Sequence, residues 1–196
     1  MKQDYCHIHV ILDRSGSMQS IRDDVIGGFN SFIEEQKKVP GEATVTLVQF
    51  DDEDPYEVVS DFTRLYDVRE LTSNTFVPRG STPLLDAIGR GINDCQSKLD
   101  KMADWDRPKK VIFCIITDGQ ENCSKEFKRD QIMKMIADQR TQNWEFVFMS
   151  CDEKAIQDAV TQYGIAIQDS MSFARTSKGT REGYTRLSNT VYGYRK

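Results

Sequence analysis

The sequence predicts an α/β protein built on a doubly wound, mostly parallel six-stranded sheet with helices on both faces. Short apolar runs rich in β-branched and aromatic residues recur along the 196-residue chain. Between most of them lie apolar residues spaced three and four apart, as on an amphipathic helix. Strands that alternate with helices pair in parallel, because each crossover helix returns the chain to the same end of the sheet.

The predicted strands lie near residues 7–12, 44–50, 56–62, 110–117, 144–150 and 165–168. The fourth and fifth runs are almost continuously apolar, which is typical of strands covered on both faces. Only "DDEDP" separates the second run from the third, and this segment is too short for a crossover helix. These two runs are therefore predicted to form an antiparallel hairpin at one edge of the sheet.

Five apolar stripes predict five helices, which contain Ile21, Leu84, Ile132, Ile156 and Leu187. Such a stripe could line a ligand pocket, but at helical spacing it is more typical of a face packed on a sheet. No internal repeat and no low-complexity linker divides the chain. Residues 1–196 are predicted to form a single domain, with 171–196 as a basic C-terminal helix or tail packed on it or extending from it.

Composition restricts the classes of function. The net charge of -5 and the pI near 5.2 argue against a nucleic-acid binder, which would carry a basic surface. No apolar stretch approaches the roughly 18 residues needed to span a bilayer, and the N-terminus lacks the features of a signal peptide. The five cysteines are scattered, and no pair has zinc-type spacing. We therefore expect a cytoplasmic protein with reduced thiols and no membrane or nucleic-acid partner.

Oxygen-bearing side chains follow two of the predicted strands and precede one helix. Asp13, Ser15 and Ser17 come directly after the first strand, in "DRSGS", and Asp118 follows the fourth strand, in "TDG". Thr82 lies in "GSTPL", where it is predicted to be the N-cap of a helix with Pro83 at the first helical position. Ligands of open α/β sheets collect at the carboxyl ends of the strands, so these side chains are predicted to share one rim.

The chemistry of this set favours a hard divalent cation. Two carboxylates and three hydroxyls, without nitrogen or sulfur, select against zinc, copper and iron. Mg²⁺ typically takes one or two carboxylates and retains several waters, whereas Ca²⁺ takes more protein oxygens. The sequence therefore predicts a Mg²⁺ site, with Mn²⁺ or Ca²⁺ as alternative ions. An ion with a replaceable water can also accept an anionic oxygen from another molecule.

"DRSGS", "GSTPL" and "TDG", in this order, resemble the metal-ion-dependent adhesion site of the von Willebrand factor A (VWA) domain family. The resemblance extends over the whole chain and implies a Rossmann-like fold. It implies that Ser15 and Ser17 bind the metal directly, that Thr82 binds directly or through water, and that Asp13 and Asp118 often act through water. It also implies that an Asp or Glu carboxylate of a partner protein completes the coordination.

Each residue also has an ordinary structural explanation. Asp13, Ser15 and Ser17 could satisfy backbone groups in a turn, Thr82 could be only a helix cap, and "TDG" could be only a turn after a strand. The five together favour a metal site. The predicted function is a protein-binding module without enzymatic activity. A metal-dependent hydrolase, such as a phosphatase, is the alternative, and an adaptor subunit of a larger ATPase, stress-response or phage assembly is a third hypothesis.

Three weaker signals remain. The acidic residues 51–54 predict a solvated hairpin turn, or else a negative edge to the metal rim that repels acidic partners. Residues 171–196 carry six basic side chains and one acidic side chain, which suits the polar face of a terminal helix or a surface for an acidic partner. His7 and His9 would face the same side of the first strand. Two such histidines can bind metal, but no third ligand is evident, and a packed or edge position is expected.

Overall fold

Six strands form one sheet in the computed structural model, which describes residues 2–196. Their order across the sheet is β3-β2-β1-β4-β5-β6. The strands are β1 (Lys2–Asp13), β2 (Glu42–Phe50), β3 (Glu57–Arg64), β4 (Pro108–Thr117), β5 (Trp144–Ser150) and β6 (Ser170–Ser172). Five run parallel, and β3 pairs antiparallel with β2 at the edge. The predicted fold class and the predicted edge hairpin are therefore confirmed.

Five helices cover the two faces of the sheet. They are α1 (Arg22–Lys37), α2 (Leu84–Lys101), α3 (Arg129–Arg140), α4 (Glu153–Gln162) and α5 (Ser177–Arg195). One apolar core joins the sheet to α1 and α5, and a second core joins it to α2, α3 and α4. The apolar stripes predicted as core-facing thus pack on the sheet.

Strand β1 lies at the centre of the sheet, between β2 and β4, and is buried on both faces. Its alternation sends Ile8, Val10 and Leu12 into the core beneath α1 and α5. The residues between them, including Ile11, face α2. Since β1 pairs in parallel with both neighbours, its carboxyl end lies beside theirs.

The predicted strand at 165–168 is misplaced. Residues Ile167–Asp169 form a 3-10 turn, and the strand that pairs with β5 begins at Ser170. Ile165 is buried, but Ile167 is 66% exposed, so the short apolar run anchors a loop to the core and does not form an edge strand. Among the described residues, no helix is both long enough and apolar enough to cross a membrane.

Candidate functional site

The carboxyl ends of β1 and β4 bring two aspartates to one rim of the sheet. Asp13 is the last residue of β1, and Asp118 directly follows β4. Leu12 pairs with Ile116 in the parallel register, so the two strands end at nearly the same height. Both aspartates are buried, at 0% and 1% exposure.

A hydrogen-bonded network links four of the five predicted site residues. The Ser17 hydroxyl donates to Asp118 Oδ1 at 2.6 Å, and the Ser15 and Ser17 hydroxyl oxygens are 3.1 Å apart. The Ser15 backbone N–H donates to Asp13 Oδ1 at 2.6 Å. Asp13 Oδ2 accepts from the Thr117 hydroxyl, also at 2.6 Å. The structure thus brings Asp13, Ser15, Ser17 and Asp118 together as predicted and adds Thr117.

Backbone contacts hold Thr82 next to this network. The Thr82 N–H donates to Asn122 Oδ1 at 2.9 Å, and the Asn122 N–H donates to the Thr82 carbonyl at 3.2 Å. Two residues earlier, the Gly80 carbonyl accepts from the Gly16 N–H at 3.0 Å. The Thr82 segment is therefore fastened both to the loop after β1 and to the loop after β4.

The prediction that Thr82 caps a helix is wrong. Helix α2 begins at Leu84, with Pro83 in the N-cap position and no side-chain cap. The loop after β4 supplies the missing acceptors, because Glu121 Oε2 accepts from the Leu85 N–H at 3.0 Å and the Ser124 hydroxyl from the Asp86 N–H at 3.1 Å. The Thr82 hydroxyl is therefore not used for capping.

Gly80 is required where the Thr82 segment turns toward the rim. Its φ of +63° lies in the left-handed region that glycine adopts without steric cost. A Cβ at this position would also collide with Asp52 Oδ1, which accepts from the Ser81 N–H at 2.7 Å. A side chain at residue 80 would disturb both the turn and its anchor.

Burial disfavours the charged form of both carboxylates. Burial raises the pKa of Asp13 to about 6, although hydrogen bonds from Thr117 and Ser15 act in the opposite direction. Burial also raises the pKa of Asp118, against the lowering effects of Ser17 and the Arg175 guanidinium. Raised carboxyl pKa values at a rim of oxygen ligands indicate a site suited to a cation.

Arg175 belongs to this rim, and sequence reasoning missed it. Its Nη1 lies 2.9 Å from Asp118 Oδ2 in an ion pair, and its Nη2 donates to the Asp118 carbonyl at 3.0 Å. It also approaches the Ser17 carbonyl, with Nη1 at 3.3 Å. The side chain is 42% exposed and precedes α5 in the chain. In the sequence it was one basic residue among six in the tail, with no local motif to mark it.

The acidic turn is also only partly solvated. Asp51 is fully buried and accepts from Arg14 Nε at 2.7 Å and from Arg79 Nε at 3.0 Å. Arg14 lies between Asp13 and Ser15 in the chain, so the ion pair between Arg14 and Asp51 anchors the loop after β1. The prediction of a solvated turn is wrong for Asp51, because its charge is neutralised internally.

Comparison with models of protein families identifies one family. The profile of the von Willebrand factor type A domain matches residues 7–178. A search of curated proteins found no match.

Three solved structures illustrate the similarity of fold. Proximal thread matrix protein 1 from the mussel byssus, with a zinc-occupied MIDAS motif, aligns with a TM-score of 0.63 and 13% identity over 96% of this chain and 46% of that chain. The pilus adhesin SpaC from Lactobacillus rhamnosus GG aligns with a TM-score of 0.64 and 12% identity, over 98% of this chain and 30% of that chain. The SpRpn10 VWA domain aligns with a TM-score of 0.54 and 15% identity, over 90% of this chain and 92% of that chain. This chain thus spans less than half of the mussel and bacterial chains.

Proposed function

Because the chain belongs to the von Willebrand factor type A domain family, we propose that it is a metal-dependent protein-binding module. In this proposal Asp13, Ser15, Ser17, Thr82 and Asp118 hold a Mg²⁺ ion, and an Asp or Glu carboxylate of a partner protein binds to that ion. The observation that carries the proposal is the hydrogen-bonded cluster of carboxylate and hydroxyl oxygens at the carboxyl ends of β1 and β4.

The chemistry of the cluster fits a hard divalent ion. Its donors are all oxygens, which suit Mg²⁺ or Mn²⁺ better than softer metals. The buried Asp13 and Asp118 carboxylates supply negative charge, and burial disfavours that charge in both even though Arg175 pairs with Asp118. When bound, the ion would supply a positive charge and an exchangeable water position at the rim.

The exposed part of the rim suits an anionic partner. Ser17 is exposed, and Arg175 is half-exposed beside Asp118. A metal ion and a guanidinium at the same edge would both attract an incoming carboxylate. Asp51, which could have repelled such a partner, is buried against Arg14 and Arg79.

The buried histidines support the binding function over the hydrolase, and the free cysteines favour a reducing compartment. Both histidines of the chain are buried within the sheet, so neither can act as a general base at the rim. All five cysteines are free, which suits the cytoplasm that we propose as the location.

Calorimetric titration of the purified protein with Mg²⁺, Mn²⁺ and Ca²⁺ tests the metal site. Ser17→Ala removes an exposed hydroxyl that contacts Asp118, whereas Ser20→Ala removes an exposed hydroxyl in the same 3-10 segment. We expect Ser17→Ala to weaken Mg²⁺ binding and Ser20→Ala to leave it unchanged. Equal Mg²⁺ affinity in the two variants would contradict the proposed ligand set.

Affinity capture from the native host, in Mg²⁺ and again in a chelator, tests the partner. A partner that requires Mg²⁺, is retained by Ser20→Ala and is lost by Ser17→Ala supports the proposal. A partner retained in chelator argues against docking through the ion. Mg²⁺-dependent turnover of a phosphoester that Asp118→Asn abolishes would support the hydrolase instead.

A further inference from the structure

A second cluster of potential metal ligands lies inside the protein, on the face of the sheet that packs against α2. His7 and His9 point from alternate positions of β1 to this face, and Cys95 of α2 meets them there. One ligand atom from each residue lies within 4.8 Å of the other two. All three side chains are 0% exposed. The third ligand, which the sequence did not reveal, thus comes from a helix almost ninety residues away.

The imidazoles of this cluster have unused nitrogen atoms. His7 Nε2 and both ring nitrogens of His9 are buried without a hydrogen-bond partner. Burying a polar atom without a partner is unfavourable, so three such atoms together require an explanation. A bound ion would use the lone pair of one nitrogen in each ring.

Neighbouring residues hold the two rings in place. His7 Nδ1 is 2.9 Å from the Thr44 hydroxyl, which leaves Nε2 for another partner. Phe62 stacks on the His7 ring with centroids 3.7 Å apart and an interplanar angle of 6°. Phe113 stacks on the His9 ring at 4.7 Å and 5°. Metal-binding histidines are commonly oriented by a hydrogen bond to their other ring nitrogen, and Thr44 is placed to make that bond with His7.

The backbone near the cluster is also unusual. Phe62 has a φ of +43°, a left-handed conformation that is rare for an aromatic residue. Its N–H donates to the Thr46 hydroxyl at 3.0 Å, which holds it there. Gly91 allows α2 to approach the sheet, since a Cβ at this position would lie 3.3 Å from His9 Nε2 and 2.9 Å from the Phe113 ring. Strained or close-packed backbone of this kind concentrates at functional sites.

We propose that His7, His9 and Cys95 form a binding site for a soft monovalent metal ion of the Cu(I) class. The thiolate sulfur is a soft donor and the two imidazole nitrogens are borderline donors, and this set favours Cu(I) over Mg²⁺ or Ca²⁺. With a thiolate, a monovalent ion gives a neutral complex, whereas Zn²⁺ would leave one uncompensated charge in the interior. Structural zinc also takes four protein ligands, and the described residues place three here.

Binding would release one proton. Burial raises the pKa of the Cys95 thiol, so the sulfur is protonated before the ion arrives. Cu(I) forms bonds to the sulfur and to two nitrogen lone pairs, the S–H bond breaks, and the proton passes to solvent, with no change in oxidation state. Burial also lowers the pKa of His9 to about 3, so its imidazole is neutral and can donate a lone pair.

The carboxylate of Asp94, which acts electrostatically on His9, is already engaged elsewhere. Asp94 Oδ2 accepts from the Tyr56 hydroxyl at 3.2 Å and from Lys98 Nζ at 2.8 Å. Asp94 is therefore not available as a fourth ligand beside His7, His9 and Cys95. An ion would enter through local opening of the edge strand β3, which carries Phe62 over His7.

Anaerobic titration with Cu(I), in competition with a chromophoric Cu(I) chelator, tests the proposal. Cys95→Ala removes the proposed ligand. Cys114→Ala is the matched control, because Cys114 is equally buried but belongs to the core on the opposite face of the sheet. Each variant retains four cysteines, so adventitious binding by other thiols is the same in both.

We expect wild type and Cys114→Ala to hold one equivalent of Cu(I) more than Cys95→Ala. X-ray absorption of the wild-type complex should then show one sulfur and two nitrogen ligands. Equal Cu(I) binding by the two variants, also after refolding with the ion, would overturn the proposal. Preferential binding of Zn²⁺ at these residues would overturn the choice of ion.

His9→Phe provides a second variant if Cys95→Ala does not fold. A phenyl ring preserves the stack on Phe113 and removes both His9 nitrogens. It should lose the same equivalent of Cu(I), and full retention would contradict the proposal. Because this site shares no residue with the Mg²⁺ cluster, failure of either proposal leaves the other unaffected.

Discussion

The two candidate metal sites lie on the same strand and differ in almost every physical respect. Asp13 at the carboxyl end of β1 belongs to an oxygen cluster that reaches the surface through Ser17. His7 and His9 in the middle of β1 belong to a nitrogen and sulfur cluster with no exposure to solvent. The rim site offers hard ligands and is open to solvent. The interior site offers softer ligands and has no open approach from solvent.

This difference teaches how position along a strand selects ligand chemistry. At a strand end that reaches the surface, as this one does through Ser17, a divalent ion can keep waters and accept a partner. In the middle of a central strand, no water remains to compensate a net charge, so a neutral complex is preferred. We therefore expect the two sites to respond independently to substitution.

The largest expected effect concerns the buried ion pair between Asp51 and Arg14, next to the rim. Asp51→Ala should lower the free energy of unfolding by about 3–5 kcal/mol, because it removes the fully buried carboxylate that pairs with both Arg14 and Arg79 and leaves Arg14 with the half-exposed Glu57 as its ion-pair partner. Mg²⁺ binding should weaken as well, since Arg14 lies within the loop that carries Ser15. Urea denaturation measures the first effect, and Glu53→Ala, at the exposed part of the same turn, is the control. A loss of under 1 kcal/mol for Asp51→Ala would show that the pair is dispensable.

Asp118→Asn should separate the two sites most clearly. Mg²⁺ affinity should fall about 10- to 100-fold, the usual cost of losing a carboxylate that acts on a metal through water. Cu(I) stoichiometry should not change, because Asp118 lies outside the His7, His9 and Cys95 cluster. Calorimetry and the chelator competition measure the two ions, with Asp106→Asn, on an exposed loop, as the control. Loss of both metals would mean that the sites are coupled.

Two adjacent glycines in α1 test the helical layer that supports Arg175. A Cβ at Gly28 would overlap the buried Tyr184 ring of α5, so Gly28→Ala should destabilise the protein by about 1–3 kcal/mol. A Cβ at Gly27 meets nothing within 4 Å, and Gly27→Ala should stabilise the helix by about 0.5–1 kcal/mol. Thermal and urea unfolding of the pair give the sign of each effect. Equal effects would show that α5 adjusts to the added methyl group.

The smallest expected effect comes from Arg175 itself. Arg175→Ala should tighten Mg²⁺ binding severalfold, because the positive guanidinium beside Asp118 repels a divalent cation at the same rim. The Cu(I) site should be unaffected. Arg181→Ala removes an equal charge from the exposed face of α5 and serves as the control. Weaker Mg²⁺ binding in Arg175→Ala would indicate that the guanidinium orients Asp118 and does not compete with the ion.

Local patterns in the sequence determined much of this molecule. Short apolar runs predicted five of the six strands, apolar spacing of three and four predicted the helices, and the short "DDEDP" link predicted the edge hairpin, because burial is encoded within each element. "DRSGS" and "TDG" identified the oxygen side chains of the candidate site at the rim, since a strand end fixes where its next residues lie. These inferences needed only neighbours in the chain.

Other features depend on residues distant in sequence and were decided by the tertiary structure alone. The loop after β4 caps α2, so Thr82 is not a cap. Arg175 reaches Asp118 only because the segment before α5 crosses the rim. Cys95 completes the pair of histidines only because α2 packs over β1. Such contacts depend on how separate elements dock, and no local spacing along the chain records that arrangement.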